Sequence, residues 1–264
     1  MSEVIVVTSG KGGVGKTTTT ANIGAALALS GKKVAMIDTD IGLRNLDVIM
    51  GLENRIVYDL VDVVENKCTY AKALVRDKRF ENLFLLPAAQ GRDKSAVTTT
   101  QMKHLIRQME DSFDFIIIDC PAGIEQGFEN AVAAAKKAIV VAMPEVSSVR
   151  DADRIIGLLE KHDIKDIRLV INKLRPKMVE SGNMLGIDDM LEILAIDLLG
   201  VVPDDEEIII AANKGEYVSS SNKSLAGQAY RNIAMRLDGA EVELVKFKKP
   251  FLASLFKRKQ GARI

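Results

Sequence analysis

The stretch VIVVTSGKGGVGKTTTTANIGAALALSG, residues 4–31, constrains the fold more than any other part of this chain. An apolar run leads into a glycine-rich turn, and the turn opens a helical pattern that stops at Gly31. Gly10 to Thr17 fits G-x-x-x-x-G-K-[ST], the phosphate-binding loop, in its expected place between strand and helix. In such a loop backbone N–H groups cradle phosphates, Lys16 reaches the outer ones and the Thr17 hydroxyl faces Mg²⁺. Lys11 stands five positions before Lys16, where its own loop has no evident use for it.

A strand–loop–helix unit of this kind needs neighbours to bury it, and the rest of the chain supplies them. Further apolar runs read as buried parallel strands: VAMID (34–38), LFLLP (83–87), FIIID (115–119), AIVVAM (138–143), RLVIN (168–172) and LLGVV (198–202). Helical patterns lie between them at 98–110, 147–163 and 224–239. This alternation predicts an α/β fold: a single doubly wound, mostly parallel sheet with helices on both faces, of the P-loop NTPase type. Ligands should then bind outside the carboxyl ends of the strands. At 264 residues, one large domain over 1–240 is expected, followed by a linker and tail over 241–264.

Several function classes are excluded by what is missing. Cys68 and Cys120 lie 52 residues apart with no C-x-x-C spacing, which disfavours disulfides, zinc and iron–sulfur sites and suits a reducing compartment. The N-terminus lacks a basic, then apolar, leader pattern, and no run of 18 apolar residues would span a membrane. His104 and His162 fall on predicted helices away from the motifs and read as solvated. The zero net charge conceals an asymmetry. Residues 246–264 hold seven Lys or Arg and no acid, so the remaining body carries 29 basic against 36 acidic residues.

Two acidic clusters end predicted strands on the rim of the loop. FIIID ends in Asp119, the Walker B pattern, and IDTD supplies Asp38 and Asp40. With SGKGGVGKT, DTDIGLRNLD, IVYDLVDVV, DCPAGIE and PEVSSVRDADRIIG, the chain resembles the deviant Walker A ATPases, the ParA/MinD family, along its whole length. The resemblance is to the septum-site-determining branch in particular. It implies a Mg²⁺-dependent ATPase that forms a homodimer with ATP. Gly10, Lys11, Gly12, Gly13, Val14, Gly15, Lys16, Thr17 and Thr18 would wrap the phosphates. Lys11 would reach the partner protomer's nucleotide and act in catalysis beside Lys16, as an arginine finger does. Thr17, Asp38 and Asp119 would hold the metal, Thr17 directly and the acids through water, and Asp40 would orient the attacking water. Asn172, Pro203 and Asp204 would line the base.

The tail gives a partner. From Pro250, residues Phe251, Leu252, Leu255 and Phe256 recur on one helical face, flanked by Lys257, Arg258 and other bases. That is the pattern of an interfacial helix on anionic lipid. Burying one large apolar side chain fully is worth roughly 1.5–3 kcal/mol, and each base adds about 1 kcal/mol near an anionic surface. One tail should bind weakly; two on a dimer should bind far more tightly. The expected location is cytoplasmic and peripheral, on the inner leaflet. The resemblance further implies docking of a MinC-type division inhibitor and of a MinE-type or other regulator. The expected surface is Asp151 and Asp153, exposed on a helix beside the loop Arg44–Asp47, with Arg44 and Asp47 contributing to it. The other reading is a ParA-like DNA-segregation ATPase with a nucleoid-binding tail. Four large apolar groups in the tail disfavour it, so no stable nucleic-acid binding is expected.

Overall fold

Runs such as VIVV, FIII and IVVA carry branched side chains on both faces of the strand, so they are stable only when covered on both sides. The computed structural model, which describes residues 2–247, places them in one sheet. The tail residues Phe251, Leu252, Leu255, Phe256, Lys257 and Arg258 lie outside the described residues.

The strands are β1 (Glu3–Thr8), β2 (Val34–Asp38), β3 (Val75–Arg76), β4 (Leu83–Leu86), β5 (Phe115–Asp119), β6 (Lys137–Ala142), β7 (Asp166–Leu174) and β8 (Asp197–Pro203). Their order across the sheet is β3-β4-β2-β5-β1-β6-β7-β8. All neighbours are parallel except β3, which runs antiparallel to β4. The first helices along the chain are α1 (Lys16–Leu29), α2 (Leu46–Met50), α3 (Leu60–Val64), α4 (Tyr70–Ala73), α5 (Thr99–Met109) and α6 (Gln126–Ala133). They are followed by α7 (Val146–Lys161), α8 (Pro176–Glu180), α9 (Ile187–Leu194), α10 (Glu206–Asn213) and α11 (Leu225–Leu237).

Alternation along each strand builds two cores. Val4, Val6, Ile116 and Ile118 point into one, with buried residues of α3, α5, α6, α7 and α9. Ile5, Val7, Phe115 and Ile117 point into the other, with α1, α2 and α11. The sheet is therefore doubly wound and mostly parallel, as the sequence predicts. Each of the seven apolar runs is a strand, to within two residues at either end. The short β3 and the helices α6, α9 and α10 lie outside the elements read from the sequence, although Ile187, Met190, Leu191 and Leu194 of α9 do recur at helical spacing.

Residues 241–247 pack back on the domain. Val245 is buried, and Asn232 Nδ2 donates to the Glu243 carbonyl at 2.9 Å. Central β1 lies between β5 and β6, so the loop after it opens at the middle of the carboxyl rim, beside the ends of β2 and β5.

Candidate nucleotide site

Ser9–Gly15 joins β1 to α1, and two glycines make the turn possible. Gly15, the residue before the helix, has φ 97°, and a Cβ there would sit 2.3 Å from Asn172 Nδ2. Gly10 lies against the backbone of Asp151 on α7, 2.4 Å from its carbonyl carbon to where a Cβ would be. The loop is thus clasped from both sides. Asn172 Nδ2 donates to the Val14 carbonyl at 2.7 Å, and Lys173 Nζ donates to the Gly13 carbonyl at 2.9 Å. With carbonyls held outward, the loop's N–H groups are left to face an anion, and α1 presents its positive end there.

Lys16 opens α1 and is buried, at 7% exposure, beside the carboxyls. Lys11 turns the other way. Its Nζ lies 3.3 Å from Glu145 Oε2 and donates to Ser147 Oγ at 3.1 Å, at the start of α7.

Asp38 and Asp119 are register partners at the ends of adjacent strands, and both are buried. Asp38 accepts from the N–H groups of Asp40 at 2.9 Å and Leu46 at 3.2 Å. Asp119 accepts from Thr20 Oγ1 at 2.9 Å. Burial pushes Asp38 up to about 8, and the charge of Asp119 adds to the rise. Burial likewise raises Asp119, against the Thr17 and Thr20 hydroxyls and the charge of Lys16. Asp40 sits close enough for its charge to act on both acids. Two buried acids of raised affinity for protons, with Thr17 beside them, form a hard oxygen donor set that suits Mg²⁺. Thr17, Asp38 and Asp119 are therefore the residues that could hold it.

The base-lining expectation is only partly gathered here. Asn172 is buried under the loop, and its amide is engaged with Val14 and with the Lys173 N–H. Pro203 is buried at the end of β8 beside Leu174, and exposed Asp204 pairs with Arg175 at 2.6 Å.

The partner surface needs one correction. Asp47 is not exposed: its side chain is fully buried, with Arg44 Nε 2.7 Å away, off the line of a hydrogen bond. Burial raises its pKa, against the pull of Arg44. Asp153 is exposed on α7, and Asp151 is half-buried. His162 is exposed, as expected; it caps α7, and its Nε2 lies 2.9 Å from Glu129 Oε2.

Three contributors are not evident from the motifs. Thr20 stands one helical turn after Lys16, a spacing that could have revealed it. Thr39 Oγ1 donates to the Asp119 carbonyl at 2.6 Å and ties β2 to β5. Lys173 carries no motif signal beyond its neighbour Asn172.

Comparison with known proteins agrees with this geometry. Residues 5–218 match the family described as CobQ/CobB/MinD/ParA nucleotide binding domain. The chain is 58% identical over 248 residues to the septum site-determining protein MinD of Synechocystis, covering 94% of this chain and 93% of that one. It is 48% identical to a chain of the MinC:MinD cell division complex of Aquifex aeolicus, with a TM-score of 0.88 over 93% of this chain and 100% of the other. It is 29% identical to the MinD of Pyrococcus horikoshii complexed with Mg-ADP, with a TM-score of 0.81 over 90% and 96% of the two chains. Sequence motif, sheet order and site geometry converge, and the chain belongs to the CobQ/CobB/MinD/ParA nucleotide-binding family, in its septum site-determining MinD branch.

Proposed function

We propose that this chain is an ATP-dependent switch that dimerises on ATP, attaches to the cytoplasmic face of the membrane and positions the division site by recruiting an inhibitor. The observation that carries the reading is the placement of Lys11. It belongs to the phosphate loop by sequence, yet its amine leaves that loop for Glu145 and Ser147, while Lys16 alone lies buried beside the acids. Lys11 is therefore available to a second nucleotide.

The steps follow from the residues. Loop N–H groups and Lys16 bind the β- and γ-phosphates. Thr17, Asp38 and Asp119 would hold Mg²⁺, which would supply positive charge to the phosphates. Two ATP-loaded chains meet at their carboxyl rims, and each Lys11 exchanges its intramolecular partners for the other chain's phosphates. That added charge favours the transition state. Asp40 orients the attacking water. Pairing two C-terminal segments raises membrane avidity, so hydrolysis releases both the dimer and the lipid.

The MinC named with the Aquifex relative supports a MinC-type inhibitor as partner, and a regulator of MinE type fits the same cycle. Identity of 58% to a MinD favours this reading over DNA segregation. Sedimentation velocity tests it: ATP with Mg²⁺ should convert monomer to dimer, and ADP should not. A nucleotide-independent state would sink the reading.

A further inference from the structure

We infer that the buried Arg44–Asp47 pair is a positioning device for Asp40, an assignment that rests on reading Asp40 as the group that orients the attacking water. The chain from 38 to 47 turns back on itself after β2. The Asp40 N–H donates to Asp38 Oδ1 at 2.9 Å, and the Leu46 N–H donates to Asp38 Oδ2 at 3.2 Å. Between them the N–H groups of Leu43 and Arg44 donate to the Asp40 carbonyl at 3.2 and 3.1 Å. Asp40 is therefore held through its backbone at both ends of this turn.

The turn closes only because Arg44 adopts φ 44°, a left-handed conformation that a long side chain rarely takes. Such strain persists where the surroundings over-determine it. Here the determinant is Asp47. Its carboxylate is 0% exposed, and a buried acid without a counter-charge is heavily penalised. Arg44 Nε at 2.7 Å, itself 14% exposed, supplies the counter-charge. The ion pair, a charge contact without an aligned hydrogen bond, keeps the Arg44 side chain over Asp47. The fixed side chain holds the left-handed backbone, which turns the chain so that the Leu46 N–H returns to Asp38 and closes the turn in which the Leu43 and Arg44 N–H groups hold the Asp40 carbonyl. Glycine at 44 would make the turn without strain, but it could not neutralise Asp47. The pair thus acts on the reaction from inside the protein, and a surface role for Asp47 is ruled out by its burial.

The test uses the full chain with Mg-ATP and no partner. Asp47→Asn removes the charge at nearly constant shape. The double change Arg44→Met with Asp47→Leu removes both charges together, a replacement that is often neutral for stability. Both should lower kcat at least tenfold and leave Mg-ATP affinity within twofold of wild type. Both should also lengthen the lifetime of the ATP dimer, the outcome that the reading of Asp40 expects of Asp40→Ala, a change that loss of stability alone would not produce. Wild-type kcat in the folded double variant would overturn the assignment, as would a matching loss of affinity and kcat. If neither variant folds, the pair is a folding requirement and the assignment also fails. Should wild type not hydrolyse ATP, or Asp40→Ala hydrolyse it normally, the fault lies instead with the reading of Asp40.

Discussion

Lys11 is held by exposed contacts to Glu145 and Ser147, and such contacts contribute at most about 1 kcal/mol. Lys11→Ala should therefore melt within a few degrees of wild type. It should nonetheless lose ATP-dependent dimerisation and on the order of 10³-fold in hydrolysis, the scale of a charge supplied in trans. Light scattering with ATP reads the first effect and phosphate release the second; a normal dimer contradicts the role. Asp38 and Asp119 give a prediction in pH. Both carboxyls are raised in the fold, so between about pH 4 and about pH 8 the ligand-free native state binds more protons than the unfolded chain. The contribution of the pair is then greatest below the ordinary carboxylate pKa, falls as pH rises toward the folded values and levels off above them. Thermal melts without nucleotide should show that fall, by at least about 1 kcal/mol, and Asp38→Asn should flatten it. A melting temperature that rises over this window counts against the acid pair. Lys16, Thr17 and Asp119 were legible because fixed spacing to a strand end defines them. The burial of Asp47 was not, because an acid in a polar loop reads as solvated until Arg44 is seen to cover it.

The element that links site and surface is α7. Its Ile155, Ile156 and Leu159 are buried and Leu158 is half-buried, while Asp153 is exposed. Asp151 instead abuts Gly10, so the helix start packs directly against the phosphate loop. Asp153→Arg should weaken binding of a MinC-type inhibitor or a MinE-type regulator about tenfold and leave ATP affinity unchanged, as calorimetry would show. If both partners bind as before, the docking surface lies elsewhere. Gly10→Ala should do the reverse and weaken nucleotide binding, since its Cβ would lie 2.3 Å from that of Asp151. Long apolar runs made the strands legible, because a buried parallel strand has few other compositions. The helix α10 was not legible: EEIIIAAN buries no residue and leaves Ile209 and Ile210 exposed, so it carries no helical stripe. Two-residue β3 is too short to hold a pattern at all.

Across the whole molecule, the sheet order brings the loop, both acids and the start of α7 to one rim, while seven bases gather at the opposite end of the sequence. The order of strands could not be read from any one of them, since it depends on which helix covers which face. The alternation of strand and helix nonetheless fixed the fold class and the rim where the site lies. The account joins the two charged regions through dimerisation. Replacing Phe251 and Phe256 with Glu should abolish vesicle binding and leave the ATP dimer intact, because those residues follow the nucleotide domain. High salt should weaken wild-type binding without removing it, as the apolar share is not screened. The most direct measurement is flotation of the wild-type protein with anionic vesicles in ATP, in ADP, and in ATP with plasmid DNA replacing the vesicles. The account predicts vesicle binding with ATP, little with ADP, and no retention on DNA. Equal vesicle binding in both nucleotides, or retention on DNA alone, would contradict it.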